Sequence, residues 1–436
     1  MRRATAALRA AFTALTAFAT SIASTASTVV PVLAAVAAVT VAVPTSASAA
    51  PVGPASAPAA TQRVSVAADG AQANGDSTAP SMSADGHVVA FQSTASNLVP
   101  GDTNGRSDVF VKNLKTGAIV RVDARDAGAP AEADALQPSL SADGRSVAFT
   151  SEWTYRVPGR PSGRQSDVYV RDLRTGHTTK VNVGLDQGFG VVSRDPAISA
   201  DGRRVAFVGG DTPWFPAGLH GNVRVYLRDV RAGSTERISA PPAPGDREAY
   251  EPRIDASGNA VAYRTTVPKV SGPPETFVYA WRRASGQAVR VDTTYDGSSS
   301  DPNRASLGGI SPDGSYVLFD SSSDRMVPGA LHGGGYLQDL RTGERELIEA
   351  ADDPATDTSG IAFTDGGRRY LYGTEEGLFE RDRRTGASTL LSSDRGDIRE
   401  RVFDARARTT AYGSWDDDRV PSDTNGRGDV FVTRLG

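Results

Sequence analysis

PSLSADGRSVAFTSEWTYRVPGRPSGRQSDVYVRDLRTGHTTKVNV, Pro138–Val183, reads as four short strands separated by turns. Pro138–Ser141 and Ser146–Thr150 flank Ala142-Asp143-Gly144, an Asp-Gly turn whose glycine tolerates the positive φ that tight hairpins demand. Val147 and Phe149 alternate onto one face of the second strand, the period of a half-buried β-strand. A longer connection leads to Asp167–Leu173, then to the turn Arg174-Thr175-Gly176 and a fourth strand around Thr179–Val183. A unit this small cannot bury its own apolar face and needs copies of itself alongside.

Those copies fill the chain. SADG recurs at Ser83–Gly86, Ser141–Gly144 and Ser199–Gly202, becomes SPDG at Ser311–Gly314, and weakens to DASG at Asp255–Gly258, FTDG at Phe363–Gly366 and FDAR at Phe403–Arg406. An aromatic follows each: Phe91, Phe149, Phe207, Tyr263, Phe319, Tyr372 and Tyr412, spaced by 58, 58, 56, 56, 53 and 40 residues. A second series, Phe110, Tyr169, Tyr226, Tyr279, Tyr336 and Phe379, lies seven residues before a turn glycine, and Phe431 holds the same place in the last unit. No segment keeps a helical period. The pattern predicts an all-β chain, a seven-bladed β-propeller of four-stranded antiparallel blades. Its last unit stops at Leu435-Gly436 without a fourth strand, whereas Arg63–Val66 stands before the first unit and matches the fourth strands at Val120–Asp123 and Arg290–Asp292. That N-terminal strand is expected to complete the last blade and remove its open edge.

The repeated P-x-x-S-x-D-G-x-x-V-A-F and V-Y-V-R-D-L-x-T-G strings resemble the TolB-like propellers built from the Pro-Asp variant of the WD repeat, over roughly residues 62–436. The resemblance implies the fold and leaves function open, since that family includes periplasmic adaptors, propeller domains of peptidases and some polysaccharide lyases. Only Ser311–Gly314 keeps the proline of the motif. TolB itself carries an added α/β domain and six blades, so its adaptor role is not carried over.

Composition narrows the remaining classes. With 436 residues, 45 Gly, 26 Pro and no Cys, the chain is neither a disulfide scaffold nor a thiol-based metal or redox protein. A net charge of −4 gives no footprint for nucleic acid. Arg2, Arg3 and Arg9 precede Ala-rich apolar segments around 10–22 and 28–43, and Ala47-Ser48-Ala49 forms a small-residue cleavage site. Residues 1–49 therefore read as a secretory signal peptide, 50–61 as a disordered Pro/Ala-rich tail and 62–436 as the propeller, secreted to the cell exterior after cleavage near Ala49. Pro31 and Pro44 bound the second apolar stretch, leaving it short of the ~20 residues of a spanning helix, so no membrane insertion is expected.

In an antiparallel four-strand unit the first and third connections open at one end and the others at the opposite end. Here the first are tight turns and the others are long loops, where function concentrates. The loops carry Trp153, Tyr155, Trp214, Phe215 and Trp415 with many acids, while Arg171, Arg174, Arg228, Arg231, Arg381 and Arg384 crowd the tight-turn end, predicting a charge-polarised disc. The favoured reading is a monomeric binding or scaffolding module for a protein or glycan of the cell envelope or exterior. The alternative is a carbohydrate-active lyase or hydrolase with a funnel site built on His220, His332 and acidic residues. No cofactor is demanded. Calcium is the one candidate, because VPGDTNGRSDVFV (Val99–Val111) and VPSDTNGRGDVFV (Val420–Val432) repeat a D-x-N-x-x-x-D pattern of oxygen donors, Asp102, Asn104, Asp108 and Asp423, Asn425, Asp429. The competing reading of these motifs is an Asx-capped turn.

Overall fold

The computed structural model describes residues 61–123, 133–155, 163–184, 191–211, 222–239, 248–267, 274–297, 304–350, 356–393 and 402–435. The chain divides into two compact units, 1–48 and 49–436. All described residues belong to the second. The expected signal peptide, residues 1–49, lies outside the described residues, as does the expected tail up to residue 60.

The repeats set the strands. β1 (Thr61–Arg63) precedes the first repeat, which supplies β2 (Ser77–Met82), β3 (Val88–Ser93), β4 (Asp108–Asn113) and β5 (Ile119–Arg121). The second supplies β6 (Asp134–Leu140), β7 (Ser146–Tyr155), β8 (Gly163–Asp172) and β9 (Thr178–Lys180). The third gives β10 (Val191–Ile198), β11 (Arg204–Asp211), β12 (Asn222–Asp229) and β13 (Ser234–Arg237). The fourth gives β14 (Glu248–Ile254), β15 (Ala260–Val267), β16 (Glu275–Arg282) and β17 (Gln287–Arg290). The fifth gives β18 (Ser306–Ile310), β19 (Tyr316–Ser321), β20 (Gly334–Asp339) and β21 (Arg345–Leu347). The sixth gives β22 (Ser359–Thr364), β23 (Arg369–Thr374), β24 (Gly377–Asp382) and β25 (Ser388–Ser392), and the seventh β26 (Val402–Phe403), β27 (Thr409–Ser414) and β28 (Asp429–Arg434). One 3-10 turn, Asp365–Gly367, replaces the hairpin turn in the FTDG copy.

Pairing is antiparallel within each repeat, but the sheets are not seven separate ones. Four sheets of four strands stand apart, and β6 to β17 join into one sheet of twelve strands. The joins are single parallel pairs, Ser166 beside Val192 and Val223 beside Glu248, at the ends of the long strands β8 and β12. These strands run 10 and 8 residues, against 6 for β4, and reach past their own repeat to the first strand of the next.

The N-terminal strand pairs antiparallel with β28 over Thr61–Arg63, beginning two residues before the expected Arg63–Val66, with Arg63 opposite Phe431. Val64 N continues the ladder to Val430 O at 2.7 Å. The register puts Arg63 where Arg121, Lys180 and Arg290 stand opposite Phe110, Tyr169 and Tyr279. β1 is thus the missing fourth strand of the last repeat.

Both aromatic series meet in the core. Each residue of the first meets one of the second across its strand pair: six pairs stack, from Tyr372–Phe379 at 5.3 Å between centroids to Phe149–Tyr169 at 5.9 Å, and Tyr412–Phe431 is tilted by 30° at 5.9 Å. Such offset pairs add about 0.5–1.5 kcal/mol each beyond the area they bury.

A belt of backbone hydrogen bonds links the tight turns from one repeat to the next. Ala84 N donates to Ala142 O (2.9 Å), Asp143 N to Ala200 O (3.2 Å), Ala200 N to Ala256 O (3.0 Å) and Ala256 N to Pro312 O (3.0 Å). Asp365 N donates to Ala405 O (2.6 Å), and Ala405 N returns to Ala84 O (2.9 Å). The step from the fifth repeat to the sixth is missing because Pro312 has no N–H to give.

Candidate functional site

The first strands β2, β6, β10, β14, β18 and β22 pack side by side, and β26 against β2, so they surround the axis of the molecule. Six of the seven carry a register shift midway along their length. In four of them the shift coincides with a non-glycine residue at positive φ directly before a proline: Ala79 (50°), Gln137 (54°), Asp195 (52°) and Glu251 (52°). An L-residue held there is strained and persists only where its surroundings impose it.

Polar side chains at these shifts join one repeat to the next. Gln92 Nε2 donates to Thr78 Oγ1 (3.1 Å), and its Oε1 accepts from Gln137 N (2.8 Å). Gln137 Oε1 accepts from Thr150 Oγ1 (3.0 Å) and Asp195 N (3.2 Å), while its amide donates to Asp195 Oδ1. Burial holds the Asp195 carboxyl above the ordinary range, against the opposing effects of Arg194 and Gln137. Next to it Glu251 Oε2 pairs with Arg264 Nη1 at 2.8 Å, and Arg264 lies over the Tyr250 ring at 4.9 Å. Arg253 is solvent-exposed, yet protein encloses it so completely that desolvation lowers its pKa. Contact with water but not with bulk solvent is the condition of a side chain lining an internal channel. The sequence reading missed this lining, although the x-Pro pairs Gln137-Pro138, Asp195-Pro196 and Glu251-Pro252 recur at one place in successive repeats.

The twin loops form ion-pair boxes. Arg121 Nη1 lies 3.1 Å from Asp102 Oδ1 and 3.7 Å from Asp108 Oδ2, and Asn104 Nδ2 donates to Asp108 Oδ1 (2.8 Å). In the last repeat Arg63 lies 3.0 Å from Asp423 Oδ1 and 3.4 Å from Asp429 Oδ2, with Asn425 Nδ2 on Asp429 (2.9 Å). Lys180 on Asp167 (3.0 Å) repeats the pair in the second repeat, which lacks the loop motif. A guanidinium from the fourth strand sits where a calcium ion would need to be, and each asparagine donates to a carboxylate instead of offering its oxygen to a cation. Among the described residues no group of three or more His, Asp or Glu side chains is placed to hold a metal ion. Asn104 and Asn425 Oδ1 accept from the amides of Arg106 and Arg427, the Asx turn of the competing reading.

The long-loop residues spread out. Trp415 is 66% exposed and lies flat on Gly428, where an added Cβ would meet its ring at 3.0 Å. Trp153 is half-buried in β7, opposite Gln165. Tyr155 pairs with Gly163 at the end of the same hairpin, and nothing further is described for its side chain. Trp214, Phe215 and His220 lie outside the described residues. His332 Nδ1 is 2.6 Å from Gly333 O and 3.3 Å from Asp357 Oδ1, a carboxylate 86% exposed on a neighbouring loop. It is therefore held at the rim. The six exposed large hydrophobics among the described residues include Tyr295, Leu331, Trp415 and Val183, all in loops of the long-connection end. The other two, Val120 and Val289, lie in the outermost strands β5 and β17.

The tight-turn end differs from the expected basic face. Its arginines are matched by acids that cap the turns. Asp172 Oδ1 accepts from the amides of Arg174 and Thr175 at 2.8 Å, and Asp143 Oδ1 from Ser141 Oγ and Arg145 N. The amide of Thr175 first, and that of Arg174, hold the Asp172 carboxyl below its usual pKa.

No protein-family model matches the chain, and no curated protein matches it. Among solved structures an oligogalacturonate lyase in complex with manganese superposes with a TM-score of 0.54 at 13% identity, covering 88% of this chain and 96% of that one. An oligogalacturonate lyase from Vibrio parahaemolyticus gives 0.52 at 13%, covering 86% and 93%. The shared fold is the β-propeller. A TolB from Agrobacterium tumefaciens also matches, at a TM-score of 0.36 and 16% identity over 62% of this chain and 79% of its own.

Proposed function

We propose that the chain is a seven-bladed, TolB-like propeller, exported from the cell, that works as a binding module through its long-loop end. The blade count treats the twelve-stranded sheet as three blades, since its three four-stranded parts are connected at two joins of one residue pair each, and the turn belt that returns from Ala405 to Ala84 supports it. The observation that carries the binding reading is the exposure of Tyr295, Leu331 and Trp415 on loops of one end, with Trp415 fixed on a glycine. Exposed aromatics held in place are the usual anchors of protein and glycan interfaces. Capture of envelope fractions and a glycan array by the full chain tests it, with Trp415→Ala as the variant. Retention of a specific partner by the native chain and its loss in the variant is the expected result. Identical profiles for the two chains would remove the loop end from the reading.

A lyase stands second, favoured by two neighbours that bear that name, with His332 and Asp357 3.3 Å apart at the rim and not in the funnel that the sequence suggested. Incubation with oligogalacturonate, with and without manganese, decides it. Absence of an unsaturated, ultraviolet-absorbing product leaves the binding module alone.

A further inference from the structure

Six first strands place one residue each just beyond the register shift, opposite Ala90, Ala148, Ala206, Ala262, Leu318 and Leu371 of the second strands, and β26, which has no shift, places Val402 opposite the equivalent Ala411. Six of these residues are small or uncharged: Ser81, Ser139, Ala197, Gly309, Ala362 and Val402. The seventh is Arg253. Where serine stands there, it serves the ring itself. Ser81 Oγ accepts from Leu140 N (2.9 Å) and Ser139 Oγ from Ile198 N (3.2 Å), each in the next repeat. Arginine has no acceptor for that bond and is not required by the fold, because alanine and glycine occupy the same place in neighbouring repeats.

The charges around it are uneven. Arg264 is held by Glu251 at 2.8 Å and Arg194 by Asp195 at 3.8 Å. Both carboxylates act on Arg253 from a distance, but its one hydrogen bond among the described residues runs from Nη1 to its neighbour's carbonyl, Pro252 O, at 3.3 Å. Among the described residues three guanidinium groups, Arg194, Arg253 and Arg264, thus share two carboxylates, Asp195 and Glu251, which leaves one positive charge over at this level of the first strands. Guanidinium binds carboxylate through two parallel hydrogen bonds, and enclosure strengthens such a pair because bulk water does not compete.

We propose that the axial channel is an anion site, in which Arg253 binds the carboxylate of a small ligand or ligand end. The proposal rests on reading the chain as a binding module, but it uses the channel and not the loop aromatics. The carboxylate can come from an acidic sugar or from a peptide C-terminus. Titration calorimetry of the full chain separates these with two pairs of probes: glucuronate against glucose, and an N-acetylated dipeptide against its C-terminal amide. The acid of one pair is expected to bind about tenfold or more tighter than its neutral partner. Arg253→Ala, which copies the residue of the preceding repeat, is expected to abolish that preference while leaving the melting temperature in place, and Arg253→Lys to retain part of it. Equal affinity for acid and neutral forms, no binding of any probe, or an unchanged preference in Arg253→Ala overturns the proposal. Trp415→Ala keeps the two readings apart: loss of partner capture with the carboxylate preference intact shows the channel acting alone, whereas an unaltered capture with lost preference in Arg253→Ala confines the anion site to the channel.

Discussion

Single residues explain what the twin loops do. Asp108 is fully buried, and burial first, then its hydrogen bond and charge interaction with Asp123, raise its pKa to about 7. A carboxyl whose folded pKa lies above its unfolded value keeps its proton in the folded chain while the unfolded chain has lost it, so stability falls as pH rises from about 4 to about 7. Urea denaturation between pH 5 and 8 should show this decline, at no more than about 1.4 kcal/mol per pH unit for one proton. Asp108→Asn should flatten it. Asp172 works in the opposite sense, since its lowered pKa contributes stability that is lost on acidification below the ordinary carboxylate range. Because arginines already neutralise Asp102 and Asp423, a chelator should leave the melting temperature unchanged, whereas a calcium ion bound only by the folded state would raise it. Trp415 depends on another single residue. The first repeat has Ser107 where the last has Gly428, and Gly428→Ser should push the indole off its seat, seen as a shift in tryptophan fluorescence, and weaken partner capture as Trp415→Ala does.

At the scale of the strand, the sequence was legible wherever spacing alone carried the information. Both aromatic series became paired rings across neighbouring strands, and SADG became a hairpin turn in which Ser83 Oγ donates to Asp85 Oδ1 at 2.6 Å while accepting from Val88 N. The end of a strand was less legible. Hydrogen bonding across to the neighbouring repeat, absent from any local pattern, lengthened β8 and β12 and fused three repeats into one sheet. The channel lining was illegible for a related reason: the recurring proline aligns Arg253 with Ser81, Ser139 and Ala197 in the sequence, but only the packing of the first strands around the axis brings them to one level. For β1 the sequence showed the missing partner and matched Arg63 to Arg290, but not that the strand begins at Thr61. Arg63 is 7% exposed and faces two buried carboxylates, so Arg63→Ala leaves Asp423 and Asp429 uncompensated. It should cost about 3–5 kcal/mol, measured by chemical denaturation, and Arg63→Lys should recover part of it.

For the whole molecule, the turn belt is the device that turns seven repeats into one ring. Its one gap lies at Pro312, the residue that keeps the proline of the Pro-Asp motif. Pro312→Ala supplies an N–H at that step, worth about 1 kcal/mol as a hydrogen bond. The variant also loses the proline's restriction of the unfolded chain, about 0.4–1 kcal/mol. The melting temperature should therefore hardly move, while the new amide at 312 should be protected in hydrogen exchange. An unprotected amide there would mean that the fifth and sixth turns stand too far apart to bond.

The closing strand also fixes how the ring responds to force. Thr61 and Thr433 lie opposite one another, with their hydroxyls 2.9 Å apart, so the two ends of the described chain leave the same strand pair at the same end. A pull on both ends loads the ladder between β1 and β28 one bond at a time, in the manner of a zipper, instead of all at once in shear. An adhesive or tether built on this chain yields first at Thr61, and the last repeat opens before the aromatic stacks of the other six feel any tension.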